Sequence, residues 1–280
     1  MATRKAPLIM GILNVTPDSF SDGGKFFAAD AAIARAEKLV EDGADILDVG
    51  GESTRPFSDS VPIEEEIRRV IPVIEKIAPR IPIPISIDTT KSTVARMAVE
   101  AGASIINDIS ALRTDPGVAD VAAHNRSRLI LMHMKGTPKN MQVSPTYHDL
   151  FGEITAFLEN AVQIAVAKGV PASRLIVDPG IGFGKTLQHN LMILQGIDRF
   201  KALGTPVLVG PSRKAFIRKI VKPRTVQDID PLLPVVETGT QAAIAVAAMN
   251  GADIVRVHDV AATRATQKII VAITNGEYKK

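Results

Sequence analysis

Polar and charged residues close almost every short apolar run of this sequence. They are Asn14, Asp48, Asp88, Asn107, His133, Asp178, Lys214 just past its run, Arg256 and His258. A single Asp or Asn in such a place can serve the turn alone, because turns favour both residues. The repetition over nearly every run instead indicates a shared site. A two-residue spacing also puts Arg256 and His258 on one face of a strand, and Ser86 and Asp88 on one face of another.

Two chemistries could use these side chains. Carboxylates could hold divalent metals for hydrolysis, but such sites generally use several His ligands, and the chain has only 5 His. Alternatively, Asp and Asn could bind the donor edge of a planar heterocycle, because one carboxylate accepts two parallel N–H bonds. Lys214, Arg256 and His258 would then face the negative charge of a leaving group or second substrate. We favour the heterocycle.

Residues 176–186, IVDPGIGFGKT, end like a nucleotide-binding P-loop. That motif needs its first glycine at position 179, where this chain has Pro179. Proline has no N–H to donate to a phosphate, and the adjacent Asp178 would repel one. We therefore interpret the stretch as a strand that ends in a carboxylate, followed by a glycine-rich turn that lets a ligand approach the backbone closely.

These residues lie at the ends of eight apolar runs, and each run predicts a β-strand. They are LIMGILNV from Leu8, ADILDVGG from Ala44, IPISID from Ile83, SIINDIS from Ser104, RLILMHM from Arg128, RLIVDPG from Arg174, PVLVG from Pro206 and DIVRVHD from Asp253. Near-continuous Ile, Val and Leu is typical of parallel strands buried on both faces. Amphipathic stretches that predict helices lie between them: AAIARAEKLVEDG, EEEIRRVIPVIEKIA, TVARMAVEAG, ITAFLENAVQIAVAKG and QAAIAVAAMNG.

Eight such units in 280 residues predict an α/β fold, a (β/α)8 TIM barrel that forms a single domain over residues 1–280. The active site of that fold lies at the carboxyl ends of the strands. A doubly wound sheet is the alternative, although the first strand lacks its glycine-rich nucleotide fingerprint. The stretch from Lys222 to Pro234 is interpreted as a loop.

Composition narrows the class of protein further. The chain has no Cys, which excludes disulfides, thiolate metal sites and cysteine nucleophiles. Its net charge of +3, with 4% aromatic residues and no Trp, suits a small anionic substrate better than a nucleic acid. The N-terminal segment reads as a first strand rather than a signal peptide, and no window of about 18 apolar residues is apparent. We therefore expect a cytoplasmic protein without membrane contact.

Two connections are longer than is usual in this fold. TPDSFSDGGKFF follows the first strand and ESTRPFSDSVP follows the second, and both are rich in Ser, Asp and other polar residues. Long loops at the catalytic face of a barrel are often lids, so we expect both to close over the site, with an ordinary surface connection as the alternative.

The motifs together resemble those of the dihydropteroate synthase family. They are GILNVTPDSFSDGG, DVGGESTRP, SIDTTK, NDIS, MHMKGTP, DPGIGFGKT, SRKAFI and VRVHD, in this order from about Leu8 to Ala272. The resemblance implies a pterin-binding (β/α)8 barrel, a homodimer and a transferase of folate biosynthesis that is the target of sulfonamides. Such an enzyme joins 6-hydroxymethyl-7,8-dihydropterin pyrophosphate to p-aminobenzoate and releases pyrophosphate with Mg²⁺.

The resemblance also implies roles for individual residues. Asp88, Asn107 and Asp178 would hold the pterin, with Lys214 beside it, Met132 in the pocket wall and Asp48 near the pterin and the metal. The metal-binding residue would be Asn14. Thr54, Arg55, Arg256 and His258 would bind the pyrophosphate, while Pro56, Phe183, Ser212 and Lys214 would form the p-aminobenzoate pocket, with Phe20, Ser21 and Asp22 on the first lid.

The same resemblance implies a dissociative substitution. Pyrophosphate departs first from the exocyclic methylene, its charge offset by Mg²⁺, Arg256 and His258, and the neutral aniline nitrogen then attacks the resulting cation. No strong base is needed, so the protein supplies positioning and electrostatics. We hypothesise that Asp22 and Asp178 stabilise the cation. The expected catalytic set is Asp22, Asp88, Asp178, Lys214, Arg256 and His258.

Three positions depart from the family pattern. Phe57 follows ESTRP where Gly is common, Pro211 precedes SRK, and Ala215 follows SRK where Ser is frequent. The bulk of Phe57 bears on the conformation of the second lid and on sulfonamide sensitivity.

Two alternative functions remain: a pterin-binding methyltransferase that uses methyltetrahydrofolate, and a non-catalytic pterin-binding protein. The motifs ESTRP and SRK argue against the methyltransferase. The presence of Asn14, Arg256 and His258 argues against the non-catalytic pterin-binding protein.

Overall fold

All eight predicted strands are present and run parallel in one sheet. The structure is a computed structural model that describes residues 6–15, 25–53 and 60–276, with the side chains of residues 25–29 left out. The strands are β1 (Leu8–Asn14), β2 (Ile46–Gly50), β3 (Ile85–Asp88), β4 (Ile105–Asp108), β5 (Arg128–Met132), β6 (Leu175–Asp178), β7 (Leu208–Val209) and β8 (Ile254–Val257). Their spatial order is β6-β5-β4-β3-β2-β1-β8-β7.

The two ends of this sheet meet, so the sheet is a barrel. A parallel bridge pairs Val177 of β6 with Val207, next to β7. The N–H of Val177 also donates to the carbonyl of Pro206 at 3.0 Å. The barrel prediction is therefore confirmed, and the doubly wound alternative is wrong because an open sheet would leave these two edges apart.

Helices follow the strands and cover the outside of the barrel. They are α1 (Lys25–Glu41), α2 (Ile63–Ile77), α3 (Ser92–Glu100), α4 (Gly117–His124), α5 (Leu150–Ala167), α6 (Leu187–Gln195), α7 (Ala215–Val221), α8 (Pro234–Met249) and α9 (Val260–Asn275). Short 3-10 helices span Ala172–Arg174 and Ile197–Leu203. The five predicted helical stretches fall within or overlap α1, α2, α3, α5 and α8. The segment after α7 is a loop up to Pro234, as predicted.

Side chains of alternate strand residues fill two separate cores. Those that point outward form the large core between sheet and helices. Those that point inward form a compact apolar layer inside the barrel: Met10, Ile46, Ile105, Ile130, Ile176, Leu208 and Ile254. The strands alternate with a period of two, so the inward positions nearest the carboxyl ends carry the next layer above this one. That upper layer is mostly polar, with Ile12 and Met132 as apolar members, and it forms the mouth of the barrel.

One helix, α5, is long and apolar enough to cross a membrane by length and composition, which the sequence analysis did not anticipate. Its buried residues recur at helical spacing: Leu150, Ile154, Leu158, Ala161 and Ala165. This stripe packs in the core against the barrel, while Glu159 and Gln163 lie on the exposed side. The arrangement is that of a barrel helix with one buried face.

Candidate active site

Four of the predicted site residues form one hydrogen-bonded network across the mouth. The guanidinium of Arg256 donates from Nε to Asp48 Oδ2 at 2.6 Å and from Nη2 to Asp88 Oδ2 at 2.7 Å. Asn107 donates from Nδ2 to Asp48 Oδ2 at 3.3 Å. β2, β3, β4 and β8 supply one residue each, and each side chain faces inward because it lies two residues beyond an inward position of its strand.

Burial makes this network electrostatically unusual. Burial raises the pKa of Asp88 to about 7, although the positive charge of Arg256 opposes the shift and Asp48 adds to it. Burial alone would lower the pKa of Arg256, but the carboxylates of Asp48 and Asp88 raise it above its ordinary value. Asp48 is fully buried, and its Oδ1 finds no hydrogen-bond partner among the described residues. A buried acceptor of this kind is suited to a donor from a ligand.

Asp178, at the end of β6, is the third inward carboxyl group. Its Oδ1 accepts the N–H of Gly180 at 2.7 Å. Burial raises the pKa of Asp178, and the charge of Lys214 opposes the shift. Burial also lowers the pKa of Lys214 to about 7, with Asp178 acting in the opposite direction. An acid and an amine are thus held beside each other with pKa values displaced towards neutrality, as is frequent at functional sites.

An apolar wall lies beside these groups, at the ends of β4, β5 and β6. It is formed by Ile109, Met132, Met134, Met141 and Phe183. The Nζ of Lys214 lies 4.3 Å from the centroid of the Phe183 ring. The predicted pocket residues Met132, Phe183 and Lys214 are therefore neighbours, and they can accept an aromatic ring.

Ser212 follows β7 and His258 follows β8, and their side chains are in contact. The Oγ of Ser212 lies 2.9 Å from Nδ1 of His258. Nη2 of Arg35 donates to the carbonyl of His258 at 3.0 Å. Asn14 ends β1 opposite Gly50 and is half-buried. These residues border the same opening as Arg256.

The glycine-rich turn is not a phosphate nest. Gly180, Gly182 and Gly184 have φ values of +69°, +83° and +62°, which favour glycine. Lys185, which would face phosphate in a P-loop, is instead buried, and its Nζ contacts Nδ1 of His133 and the carbonyl of Phe183, each at 3.0 Å. The rejection of a P-loop therefore agrees with the geometry.

His133 does not face the mouth, contrary to its inclusion among the converging residues. Its ring packs edge-on against Phe157 of α5, with 4.8 Å between the ring centroids. The physical reason is the period of two: Met132 points inward, so the next residue must point outward. Burial lowers the pKa of His133 to about 2, with further lowering by the charge of Lys185.

Several predicted residues lie outside the described residues. They are Phe20, Ser21 and Asp22 of the first long connection and Thr54, Arg55, Pro56 and Phe57 of the second.

Sequence reasoning missed a second buried charge cluster. Lys91, at the start of α3, pairs with Glu66 of α2 and with Glu52 after β2. Glu66 is fully buried, and burial raises its pKa. The signal was available, because Glu66 stands in the apolar stripe that continues at Val70, Ile74 and Ile77. A carboxylate in such a stripe needs a buried partner.

Comparison with known proteins identifies the family. Residues 10–258 match the family model described as pterin binding enzyme. The dihydropteroate synthase of Synechocystis sp. is 46% identical over 269 residues, which cover 96% of this chain and 91% of the relative.

Two solved structures share the fold closely. The Yersinia pestis dihydropteroate synthase in complex with a sulfonamide drug has a TM-score of 0.88 at 42% identity and covers 96% of this chain and 95% of its own. The Xanthomonas albilineans dihydropteroate synthase with 4-aminobenzoic acid has a TM-score of 0.87 at 45% identity, with coverage of 96% and 94%. With the polar barrel mouth described above, these matches show that the chain belongs to the pterin binding enzyme family, among its dihydropteroate synthases.

Proposed function

We propose that this chain condenses 6-hydroxymethyl-7,8-dihydropterin pyrophosphate with p-aminobenzoate to give 7,8-dihydropteroate and pyrophosphate. One observation carries the proposal: Asp88, Asn107 and Asp178 lie at the carboxyl ends of three strands and face one opening, with Lys214 and Arg256 beside them. Carboxylate and amide oxygens in this arrangement match the amino and ring N–H donors of an aminopyrimidinone edge. An ionised phosphate has no N–H or O–H to donate, and the two carboxylates would repel it.

The second substrate fits the apolar wall. The Xanthomonas albilineans relative has been solved with 4-aminobenzoic acid. In this chain, an aromatic amine could lie against Phe183 and Met132, with its carboxylate directed towards Lys214 and Ser212. These assignments place the aniline nitrogen next to the pterin rather than in bulk water, which favours attack through proximity.

Arg256 is suited to the pyrophosphate end of the site. A guanidinium has five N–H groups, of which the described residues engage one on Nε and one on Nη2. The remaining donors are available to an anionic leaving group, while the two bonds to Asp48 and Asp88 hold the plane of the guanidinium in place. His258 lies two residues after Arg256 and contacts Ser212, and it would face the same anion.

The residues of the barrel mouth fit a Mg²⁺ ion that takes most of its ligands from the substrate. No group of three or more His, Cys, Asp or Glu side chains in the described part of the chain could form a complete metal site. Mg²⁺ commonly takes one or two protein ligands together with substrate phosphates and water. Asn14, with the free Oδ1 of Asp48 in the same mouth, would hold such an ion. When bound, the ion supplies positive charge to the departing pyrophosphate.

The protein's own contribution is then electrostatic. Loss of pyrophosphate leaves positive charge on the pterin, and Asp178 and Asp22 would stabilise that charge. The amine of Lys214 would lie where the pterin and the second substrate meet, and its lowered pKa would reduce repulsion of the cation near neutral pH.

The variant Asp178→Asn tests these roles. It keeps an oxygen for the N–H of Gly180 but removes the negative charge and one acceptor for the pterin. We expect kcat/KM for the pterin substrate to fall by about 100-fold or more. Asp120→Asn, on the surface and paired with Lys168, is the matched control and should be neutral. Near-normal turnover of Asp178→Asn would refute both the ring-binding and the cation role.

We further propose that the chain is one domain over residues 1–280, that it is cytoplasmic and that it forms a homodimer. A groove between α8 and α9 supports the dimer, because large apolar side chains are exposed along it: Met249, Ile269 and Ile273. Size-exclusion chromatography with light scattering would test it, and a monomer at micromolar concentration would refute it.

A further inference from the structure

Four consecutive carbonyl groups of the glycine-rich turn are each bound by a side chain. The carbonyl of Ile181 accepts from Lys214, that of Gly182 from Gln142 at 2.6 Å, that of Phe183 from Lys185 at 3.0 Å and that of Gly184 from Tyr147 at 2.8 Å. Gln142 and Tyr147 belong to the long connection after β5, and Lys214 follows β7. Three parts of the chain thus hold one short turn.

The turn needs such support because its glycines make it intrinsically loose. Phe183 stands between Gly182 and Gly184, both with positive φ, and glycine loses more conformational freedom than any other residue when it is fixed. The N–H of Phe183 donates to the carbonyl of Gly180 at 3.1 Å, so the backbone of Phe183 is held on both sides. Its ring is thereby fixed against the apolar wall and near Nζ of Lys214.

Lys185 provides the most deeply buried of these four bonds. The residue is only 3% exposed, and its amine lies between the carbonyl of Phe183 and Nδ1 of His133. His133 is itself locked between Phe157 and Tyr147. Burial lowers the pKa of Lys185 well below its usual value, but a neutral amine still has two N–H groups, one for each acceptor. The bond to Phe183 therefore does not depend on a charge.

We propose that Lys185, braced by His133, is a positioning residue for the second substrate: by fixing the carbonyl of Phe183 to the end of β5, it sets the ring that p-aminobenzoate packs against. The inference rests on the proposed function. Lys185 is buried, and its amine contacts the carbonyl of Phe183 and Nδ1 of His133, so it acts through Phe183. Gln142 acts in the same way on the carbonyl of Gly182, from the surface side.

The variant Lys185→Met tests the inference, because it keeps the length of the side chain and removes both donors. We expect the KM for p-aminobenzoate to rise about five- to tenfold, the equivalent of one buried hydrogen bond. The KM for the pterin substrate should change less than about twofold, since Asp88 and Asn107 are on other strands and Asp178 keeps the N–H of Gly180. A purely structural role would lower the unfolding temperature without separating the two KM values.

A double-mutant cycle shows whether the effect passes through Phe183. In a Phe183→Leu background, Lys185→Met should change the KM for p-aminobenzoate less than about twofold, because the ring that Lys185 positions is gone. If Lys185→Met does not fold, Gln142→Leu replaces it in the same cycle, with a smaller rise expected. Val143→Ala, an exposed neighbour in the same loop, is the control and should match the unmodified enzyme.

The outcomes separate this inference from the proposed function. Normal turnover of the unmodified enzyme, with both KM values unchanged or raised equally in the variant, overturns the role of Lys185 alone. Equal effects of Lys185→Met with and without Phe183 also overturn it. Absence of dihydropteroate formation by the unmodified enzyme overturns the proposed function, and this inference falls with it.

Discussion

The variant Arg256→Met tests the charge balance at the barrel mouth. Arg256 is about one-fifth exposed, and it binds two carboxylates, Asp48 at 0% exposure and Asp88 at 8%. Its loss would remove both bonds and leave two buried negative charges without their partner. Breaking a buried ion pair in this way costs about 3 to 5 kcal/mol. We therefore expect the free energy of unfolding at pH 8 to fall by that amount.

The stability that Arg256→Met loses should be smaller at lower pH. The pKa of Asp88 in the folded protein is about 7, above the ordinary value of 3.8 for an aspartate. Folding is therefore favoured as pH falls from 8 towards 5.5 and Asp88 takes up a proton. Without Arg256 that pKa rises further, so the variant gains more stability over this range than the unmodified protein does. We expect the difference between the two proteins to shrink by about 1 to 2 kcal/mol at pH 5.5.

Urea unfolding at pH 8 and pH 5.5 measures both quantities. Arg80→Met is the control, because Arg80 pairs with Glu37 on the surface at 3.5 Å and should cost about 1 kcal/mol or less at either pH. Addition of Asp88→Asn to Arg256→Met should recover part of the loss at pH 8. A loss at pH 8 no greater than that of Arg80→Met, or the same loss at both pH values, would refute the reasoning.

Two other features of the site give sharp expectations. Gly180→Ala should prevent stable folding or abolish activity, because the added Cβ would overlap the carbonyl oxygen of His133. Gly204 has nearly the same φ, +70°, but lies in open space, so Gly204→Ala should cost only about 1 to 2 kcal/mol in urea unfolding. Similar losses for the two variants would contradict this. Lys214 should titrate near pH 7 in an NMR experiment on ¹³C-labelled lysines, and the resonance should vanish in Lys214→Met; titration above pH 9 would show that Asp178 outweighs burial.

The sequence predicted the barrel well because strands buried on both faces carry an unmistakable composition. β2, for example, is buried at every residue from Ile46 to Gly50, and its run was recognised directly. The inward acids were predicted because parallel strands bring their carboxyl ends to one side. The assignment of His133 to the mouth was wrong. Successive side chains of a strand point to opposite faces, so His133 points outward when Met132 points inward.

Partners from distant parts of the chain could not be predicted. Nothing in the spacing shows that Arg256 lies on Asp48 and Asp88, because 208 and 168 residues separate them in sequence. The buried pair of Lys185 and His133 was equally hidden, since the lysine attracted notice only as part of a rejected phosphate motif. The contacts of Arg256 depend on how the strands close into a barrel, and that of Lys185 on the path of the turn after β6. The hydrophobic pattern alone encodes neither.

The most direct test of the account is a simultaneous measurement of pyrophosphate release and dihydropteroate formation by the purified protein, with the dihydropterin pyrophosphate, Mg²⁺ and p-aminobenzoate. We expect the two products to appear in equal amounts, and dihydropteroate to be absent when p-aminobenzoate is omitted. Binding of the pterin without formation of either product would contradict the account, and it would favour a methyltransferase or a non-catalytic binder.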